Sequence, residues 1–540
     1  MTALLRQLPN PAGALLVLPR AALVASAALV VSCEKSGVAG HEKMVALLAR
    51  EADRRSLLDN RVGQFQAPAL RRQLARLAGA EPRLRWPVLR GLASEESRLG
   101  NIDEAIRLYS EALELIRARN IKNKAFYLNI LELAIVYLRL GETQNCVGMH
   151  TSDSCILPIR GQGVYKNQES SRKAIGLLEE YLGRFPGAHG ARWLLNIAYM
   201  TIGEYPGEVP GQFLIPPGTF ASDEPFPRFR DIAPELGLNA FDLAGGSAVD
   251  DFNGDGWLDI VCSTSDPSGQ MRYFEGNPDK TFTERTREAG LVGLFGGLNL
   301  NHTDYNNDGF PDILVLRGAW LGRAGAAPNS LLRNNGDRTF TDVTFDAGLA
   351  AVNYPTQTAS WADYDNDGDL DLYVGNETDP EFSAPCQLFR NEGDGTFVDV
   401  AREAGVLNGR YTKGVIWGDY DGDRFPDLYV SNMFGVNRLY HNNGDGTFTD
   451  VAGELNVVAR HTSFMPWFWD FDNDGALDLW VATYAESLDF LAASYLGLKH
   501  GGELACLYRG DGKGGFREVA AELGLTLLSL TMGGNFGDLD

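Results

Sequence analysis

Cysteine and histidine are scarce in this chain, six and seven residues in 540. So few thiols in so long a chain do not define a disulfide framework of the kind that small secreted domains need. The imidazoles are scattered; His302 and His461, each near an acidic loop described below, are read as structural or surface groups rather than an acid–base pair. There is no P-loop, no HExxH and no G-x-S-x-G elbow, so the expectation is a protein that binds rather than catalyses. Cationic side chains are in deficit: 48 Lys and Arg stand against 71 Asp and Glu, a net charge of −23. A surface so poor in cations cannot release counterions from a phosphate backbone, which argues against nucleic acid as a partner and favours cations. Long apolar runs are missing too, apart from one near the N-terminus. With 44% hydrophobic and 22% charged residues, the composition is otherwise that of a folded, multidomain protein.

The N-terminal run extends from Ala21 to Val31 behind Arg6 and Arg20. Eleven residues are too few to cross about 30 Å of hydrocarbon at about 1.5 Å per residue, yet they suit the core of an export signal. Leu29-Val30-Val31-Ser32-Cys33 resembles a bacterial lipobox, whose cysteine becomes the lipidated first residue. Residues 1–33 are therefore expected to be an export signal with lipid attachment at Cys33. The mature protein is expected in the periplasm, on the outer membrane or at the cell surface of a bacterium.

Residues 34–84 read as a helical or flexible lead-in. From 85 to 205 apolar residues recur at three- and four-residue spacing, the helical period. Gly100 to Leu113 resembles the middle of a tetratricopeptide repeat, in which small Ala residues let paired helices pack closely; a non-repeating bundle is the alternative. Residues 142–168 interrupt the pattern and contain Cys146, His150 and Cys155. Three donors fall short of the four of a structural zinc, so a Cys146–Cys155 disulfide is the plainer reading, with metal chemistry or neither left open. Five prolines between 206 and 225 break helix and mark a stiff connector.

From 226 onward a different grammar takes over. Five nine-residue segments align: Asp251-Phe-Asn-Gly-Asp-Gly-Trp-Leu-Asp259, Asp304-Tyr-Asn-Asn-Asp-Gly-Phe-Pro-Asp312, Asp363 through Asp371, Asp419 through Asp427, and Asp470 through Asp478. Their starts are 53, 59, 56 and 51 residues apart, a period that signals an array of supersecondary units. Calcium, a hard cation, takes six to eight oxygens at about 2.3–2.6 Å. Positions 1, 3, 5 and 9 offer side-chain oxygens: Asp251, Asn253, Asp255 and Asp259; Asp304, Asn306, Asp308 and Asp312; Asp363, Asp365, Asp367 and Asp371; Asp419, Asp421, Asp423 and Asp427; Asp470, Asp472, Asp474 and Asp478. Position 7 can add a backbone carbonyl, at Trp257, Phe310, Asp369, Phe425 and Ala476. Eighteen Asp and two Asn so close together would repel without a cation. Position 6 takes the sharp turn and is glycine in four loops but Arg424 in the fourth, which predicts strain there. Four to five calcium ions are expected, and magnesium less so because of its strict octahedral demand.

Each loop is followed by a strand-like run, such as Leu-Tyr-Val, and then by a hairpin around a Gly-containing turn, as in Leu388 to Val400. Four strands per unit are the content of one propeller blade. The expected fold is thus a tetratricopeptide-like helical region followed by an all-β propeller over 226–540. These loops and hairpins resemble the FG-GAP or VCBS-type calcium-loop propellers, as in integrin α-subunit heads, and above all bacterial proteins related to cartilage acidic protein. The resemblance implies that the loop side chains named above are calcium ligands. Relatives often continue into an ASPIC/UnbV module, and none is expected within these 540 residues. Asp538 and Asp540 look like the start of a sixth loop, so a propeller cut short at five to six blades is expected.

Binding to a protein or glycan partner, with the helical repeats as a second docking surface, is the function these features imply. Two alternatives stand beside it, an enzyme acting on carbohydrate or lipid and an assembly scaffold working through the helices.

Overall fold

The computed structural model describes residues 40–58, 66–118, 124–147, 149–154, 156–221, 231–240, 242–459, 462–485 and 487–533. Cys33, Cys155, His461, Asp538 and Asp540 lie outside them. Among the described residues, no helix is long and apolar enough to cross a membrane.

Helices α1 (Gly40–Leu58), α2 (Ala67–Arg76), α3 (Pro82–Arg98), α4 (Ile102–Arg117), α5 (Lys124–Asn145), α6 (Glu169–Arg184) and α7 (His189–Thr201) fill the N-terminal half. In α4 the buried set is Ala105, Leu108, Tyr109, Ala112, Leu113 and Ile116, the three- and four-residue spacing of a single apolar face. That face closes a core with α3 and α5, and a second core joins α5, α6 and α7. Gly100 takes a positive φ of 82°, the left-handed turn that ends α3 and starts α4. The interruption after α5 is tied at both ends by Asn145, whose Oδ1 accepts the N–H of Lys166 and Asn167, each at 2.9 Å. Cys146 is a free thiol 3.7 Å from the Tyr165 hydroxyl. The proline-rich stretch lies back on α7. Val209, Phe213 and Ile215 are buried there, and Asn196 hydrogen-bonds both Phe213 and Ile215 backbone groups.

Among the described residues, the C-terminal half contains five four-stranded antiparallel sheets, each a simple meander. They comprise β1 (Ser247–Asp250), β2 (Asp259–Cys262), β3 (Arg272–Gly276) and β4 (Phe282–Glu284); β5 (Asn299–Thr303), β6 (Asp312–Leu316), β7 (Ser330–Asn334) and β8 (Phe340–Asp342); β9 (Thr356–Ala362), β10 (Asp371–Asn376), β11 (Gln387–Asn391) and β12 (Phe397–Asp399); β13 (Tyr411–Gly418), β14 (Asp427–Met433), β15 (Arg438–Asn442) and β16 (Phe448–Asp450); and β17 (Ser463–Trp469), β18 (Asp478–Thr483), β19 (Cys506–Gly510) and β20 (Phe516–Glu518). The first strands pack in succession, β1 on β5, β5 on β9, β9 on β13 and β13 on β17. The sheets are therefore blades set side by side about a common axis, and the hydrophobic cores lie between them. Tyr305 of the first-to-second strand loop in blade two, for example, packs on Trp361 and Phe397 of blade three, and Tyr364 packs on Trp417 and Phe448 of blade four. Second strands such as β10 and β14 are buried at every residue because both of their faces are covered.

Two helices join the halves. Helix α1 leaves the helical region altogether: Met44 and Leu48 are buried in the core shared by blades one and two, and His41 Nδ1 accepts the Asp342 N–H at 3.0 Å. Helix α8 (Leu488–Tyr495), inserted between β18 and β19, meets α7. There Asp489 Oδ1 accepts the Gly190 N–H at 2.6 Å, and Leu488 lies so close that a Cβ on Gly190 would stand 3.1 Å from it. Asp489→Ala leaves that helix-terminal N–H without its acceptor. It is expected to weaken the junction by about 1–2 kcal/mol, read as faster amide hydrogen exchange in the first turn of α7 with the β strands unchanged.

At the axis of the blades one ammonium gathers four of them. Lys413 on β13 is fully buried and ion-paired with buried Glu377, its Nζ lies 3.1 Å from the centre of the Trp320 ring, and the Tyr411 and Phe464 rings flank it. Gln357 Oε1 accepts from Nζ at 3.2 Å. Trp320 holds a positive φ of 68°, with its N–H donating to Glu377 Oε2.

Candidate metal centre

All five acidic loops occupy the same place in their blades, between the first and second strands. Position 9 is the first residue of the second strand in every case, and Asp259, Asp312, Asp371, Asp427 and Asp478 are 0–1% exposed. Each turns one oxygen to the backbone of the third strand: Oδ1 accepts from Gly276 at 2.8 Å, Asn334 at 2.7 Å, Asn391 at 2.8 Å, Asn442 at 2.9 Å and Gly510 at 2.9 Å. In loops two to five the other oxygen accepts the N–H of position 2, at Tyr305, Tyr364, Tyr420 and Phe471, while Asp259 takes the Tyr273 hydroxyl instead. Position 9 is thus a latch between loop and sheet as well as a ligand candidate.

Position 1 curls the loop around itself. Asp363 Oδ1 accepts the Asp367 N–H and Oδ2 the Gly368 N–H, each at 3.0 Å, and Asp251, Asp304 and Asp470 do the same in their loops. Position 5 accepts the N–H of position 7, at Trp257, Phe310, Asp369, Phe425 and Ala476, within 2.8–3.0 Å. The result brings carboxylate oxygens of positions 1, 3 and 9 within 4.8 Å of one another in loops three, four and five, that is Asp363, Asp365 and Asp371; Asp419, Asp421 and Asp427; and Asp470, Asp472 and Asp478. Oxygens about 2.3–2.6 Å from a common ion lie within about 5 Å of each other, so the sets fit one shared cation each. Buried Oδ1 atoms of Asp365 and Asp472 have no hydrogen-bond partner. An orphaned carboxylate oxygen is costly to bury unless something positive meets it. In loops one and two the amides of Asn253 and Asn306 stand at position 3.

Burial raises these acids. Desolvation, opposed by the third-strand N–H and reinforced by neighbouring carboxylates, pushes Asp312 up to about 7 and Asp371 up to about 8, and it raises Asp259, Asp427 and Asp478 as well. His441 Nδ1, at the rim of loop four, lies 3.1 Å from Asp427 and 3.4 Å from Asp421. His302, by contrast, faces Asp250 at 3.2 Å outside the loops.

The FG-GAP-like repeat model matches residues 251–315, 304–374, 382–430 and 419–481, stretches that contain all five loops. The chain carries FG-GAP-like repeats. Among curated proteins, cartilage acidic protein 1 of Xenopus tropicalis is 28% identical over 37% of this chain, and that of Homo sapiens 28% over 36%. The matched stretch spans 31% and 30% of the length of those relatives. Among solved structures, the V. cholerae biofilm matrix protein Bap1 is 13% identical, with a TM-score of 0.30 over 52% of this chain and 40% of that one.

Within the FG-GAP-like repeats, two backbone positions demand left-handed φ. Position 6 does so throughout, and Arg424 adopts +77° where its counterparts are Gly256, Gly309, Gly368 and Gly475. Arg424→Gly removes a strained conformation worth about 1 kcal/mol and is expected to raise the urea midpoint accordingly, without altering the other loops. Position 4 is the second such site, filled by Gly254, Asn307, Asn366, Gly422 and Asn473.

The position-4 asparagines and a second asparagine at the end of the third strand were not singled out in the sequence. Asn307 Nδ2 donates to Gly368 O of the next loop at 3.2 Å, and Asn366 Nδ2 to Arg424 O at 3.2 Å. Asn334, Asn391 and Asn442 each donate to the position-2 carbonyl of the preceding loop, Phe252, Tyr305 and Tyr364, at 2.7–3.0 Å. Their signal was a recurrent asparagine just before the glycine turn of the hairpins in blades two to four.

Proposed function

We propose that this chain is an exported, calcium-binding propeller that presents its surface to a protein or glycan partner, with the helical region, read as tetratricopeptide-like, as a second docking surface. The observation that carries the calcium reading is the convergence of carboxylate oxygens at positions 1, 3 and 9, with a buried, unpartnered oxygen on Asp365 and on Asp472. Carboxylate and carbonyl oxygens with no thiol and, in four loops, no imidazole suit a hard cation. Calcium there would neutralise the loops and fix their curl, so that the blades carry a rigid rim. Lipid attachment through Cys33 would place the protein at a bacterial membrane surface. Isothermal titration of the full chain with calcium tests the reading: several sites are expected, and heats no larger than those of dilution would overturn it. Adhesion is then read by whether binding to a glycan array or to surface proteins disappears on chelation.

A further inference from the structure

The residue before the third-strand N–H that holds position 9 varies among the blades. It is Glu275, Arg333, Arg390, His441 and Arg509 in blades one to five, and in blades four and five its side chain reaches the acids of the adjoining loop. We propose, resting on the calcium reading, that Arg509 is a built-in competitor for the cation of loop five, and that the side chain two places on decides whether such an arginine enters its loop, as Asn335 does for Arg333 at 3.5 Å in blade two. The Arg509 guanidinium reaches Asp472 Oδ2 at 2.5 Å and Asp474 Oδ2 at 3.2 Å, clamping positions 3 and 5 together. Arg390 holds the same register in blade three, yet it turns away: its Nε and Nη2 lie 2.9 and 2.7 Å from Glu392 Oε1.

The residue two places on explains the difference. Glu392 in blade three is long enough to reach back to Arg390. Its counterpart Asp511 is one methylene shorter, and its Oδ1 is engaged by the N–H groups of Lys513 and Gly515, each at 2.8 Å, inside its own hairpin turn. Arg509 therefore has loop five as its acidic partner. A guanidinium on two of the four side-chain ligands must be displaced, or must share their charge, before a divalent ion can take full effect. Loop three has no such competitor and keeps its carboxylates open, so loop three is a strong site and loop five a weak one. The Arg509 side chain is about two-fifths exposed, so salt screens the clamp and narrows the gap between the two loops.

Calcium titration of the full chain by isothermal calorimetry tests this device in both directions. Arg509→Gln is expected to tighten one site by about tenfold, and the gain should vanish in Arg509→Gln combined with Asp470→Asn, which assigns it to loop five. Glu392→Ala frees Arg390 to swing into loop three and is expected to weaken one site several-fold without touching blade five. If either variant leaves every site within twofold of the parent while the parent binds calcium, the competitor role is overturned and the calcium reading stands. If the parent itself takes up no calcium, the calcium reading fails and the proposal fails with it.

Discussion

Chelation with EGTA is expected to lower the unfolding midpoint of the full chain by on the order of 10 °C or more. A ligand that binds only the folded state stabilises it by mass action, about 2.7 kcal/mol per site when free calcium is about a hundred times Kd. Five loops, one of them weakened by Arg509, sum to on the order of 10 kcal/mol, and a shift of a degree or more per kcal/mol follows for a chain of this size. The effect has a definite pH dependence. Without metal, Asp312 and Asp371 are raised to about 7 and about 8 by burial, far above the ordinary unfolded value near ~4. A carboxyl whose folded pKa is raised contributes stability that is complete below the unfolded pKa and is lost as pH climbs through the folded one. The calcium-free protein should therefore grow less stable from about pH 5 to about pH 8. Calcium, which needs those groups ionised, should bind more tightly over the same range. Differential scanning at pH 6 and pH 8, each with calcium and with EGTA, reads both trends; a calcium shift that shrinks as pH rises would contradict the assignment.

Lys413→Ala is expected to destabilise the propeller by about 3–5 kcal/mol, because it leaves the buried Glu377 carboxylate without its cation. The loss has a second part. The Trp320 ring loses the ammonium beneath it, a contact worth up to about 2 kcal/mol when desolvated. Two further variants separate charge from volume. Lys413→Met refills the space yet keeps Glu377 unpaired, so most of the loss should persist; Lys413→Met with Glu377→Gln should recover much of it. Urea unfolding followed by tryptophan fluorescence measures all three, and a Lys413→Met variant as stable as the parent would show that the pair is not what holds the blades there.

The blades were legible because each one repeats the same short text. An acidic loop announces itself by Asp at alternate positions, and the strands after it by β-branched and aromatic runs, so the start of each second strand could be placed at Asp259, Asp312, Asp371, Asp427 and Asp478. Lys413 and Glu377 could not be read in this way. Lys413 is a single charged residue in strand-like text, Glu377 stands in a polar run just past β10, 36 positions away, and nothing local marks either as buried. The docking of α1 onto blades one and two joins His41 to Asp342 across 301 positions, beyond the reach of any periodicity. Position 9 was legible as a ligand candidate, whereas its latch to the third strand depends on a strand that returns to it from 15 or more residues away. Arg424 was read as strained from the missing glycine alone, and its φ of +77° agrees.

The asparagine bridges have a mechanical consequence. Asn307 ties loop two to loop three and Asn366 ties loop three to loop four, each by grasping the carbonyl of the very residue that takes the sharp bend. Gly254 in loop one and Gly422 in loop four have no side chain with which to do the same. The rim is therefore not five separate beads. Loops two, three and four are joined bend to bend, so a disturbance at loop three has neighbours on both sides to travel to, while loop one is held to blade two by a different bond, from Asn334 to the Phe252 carbonyl.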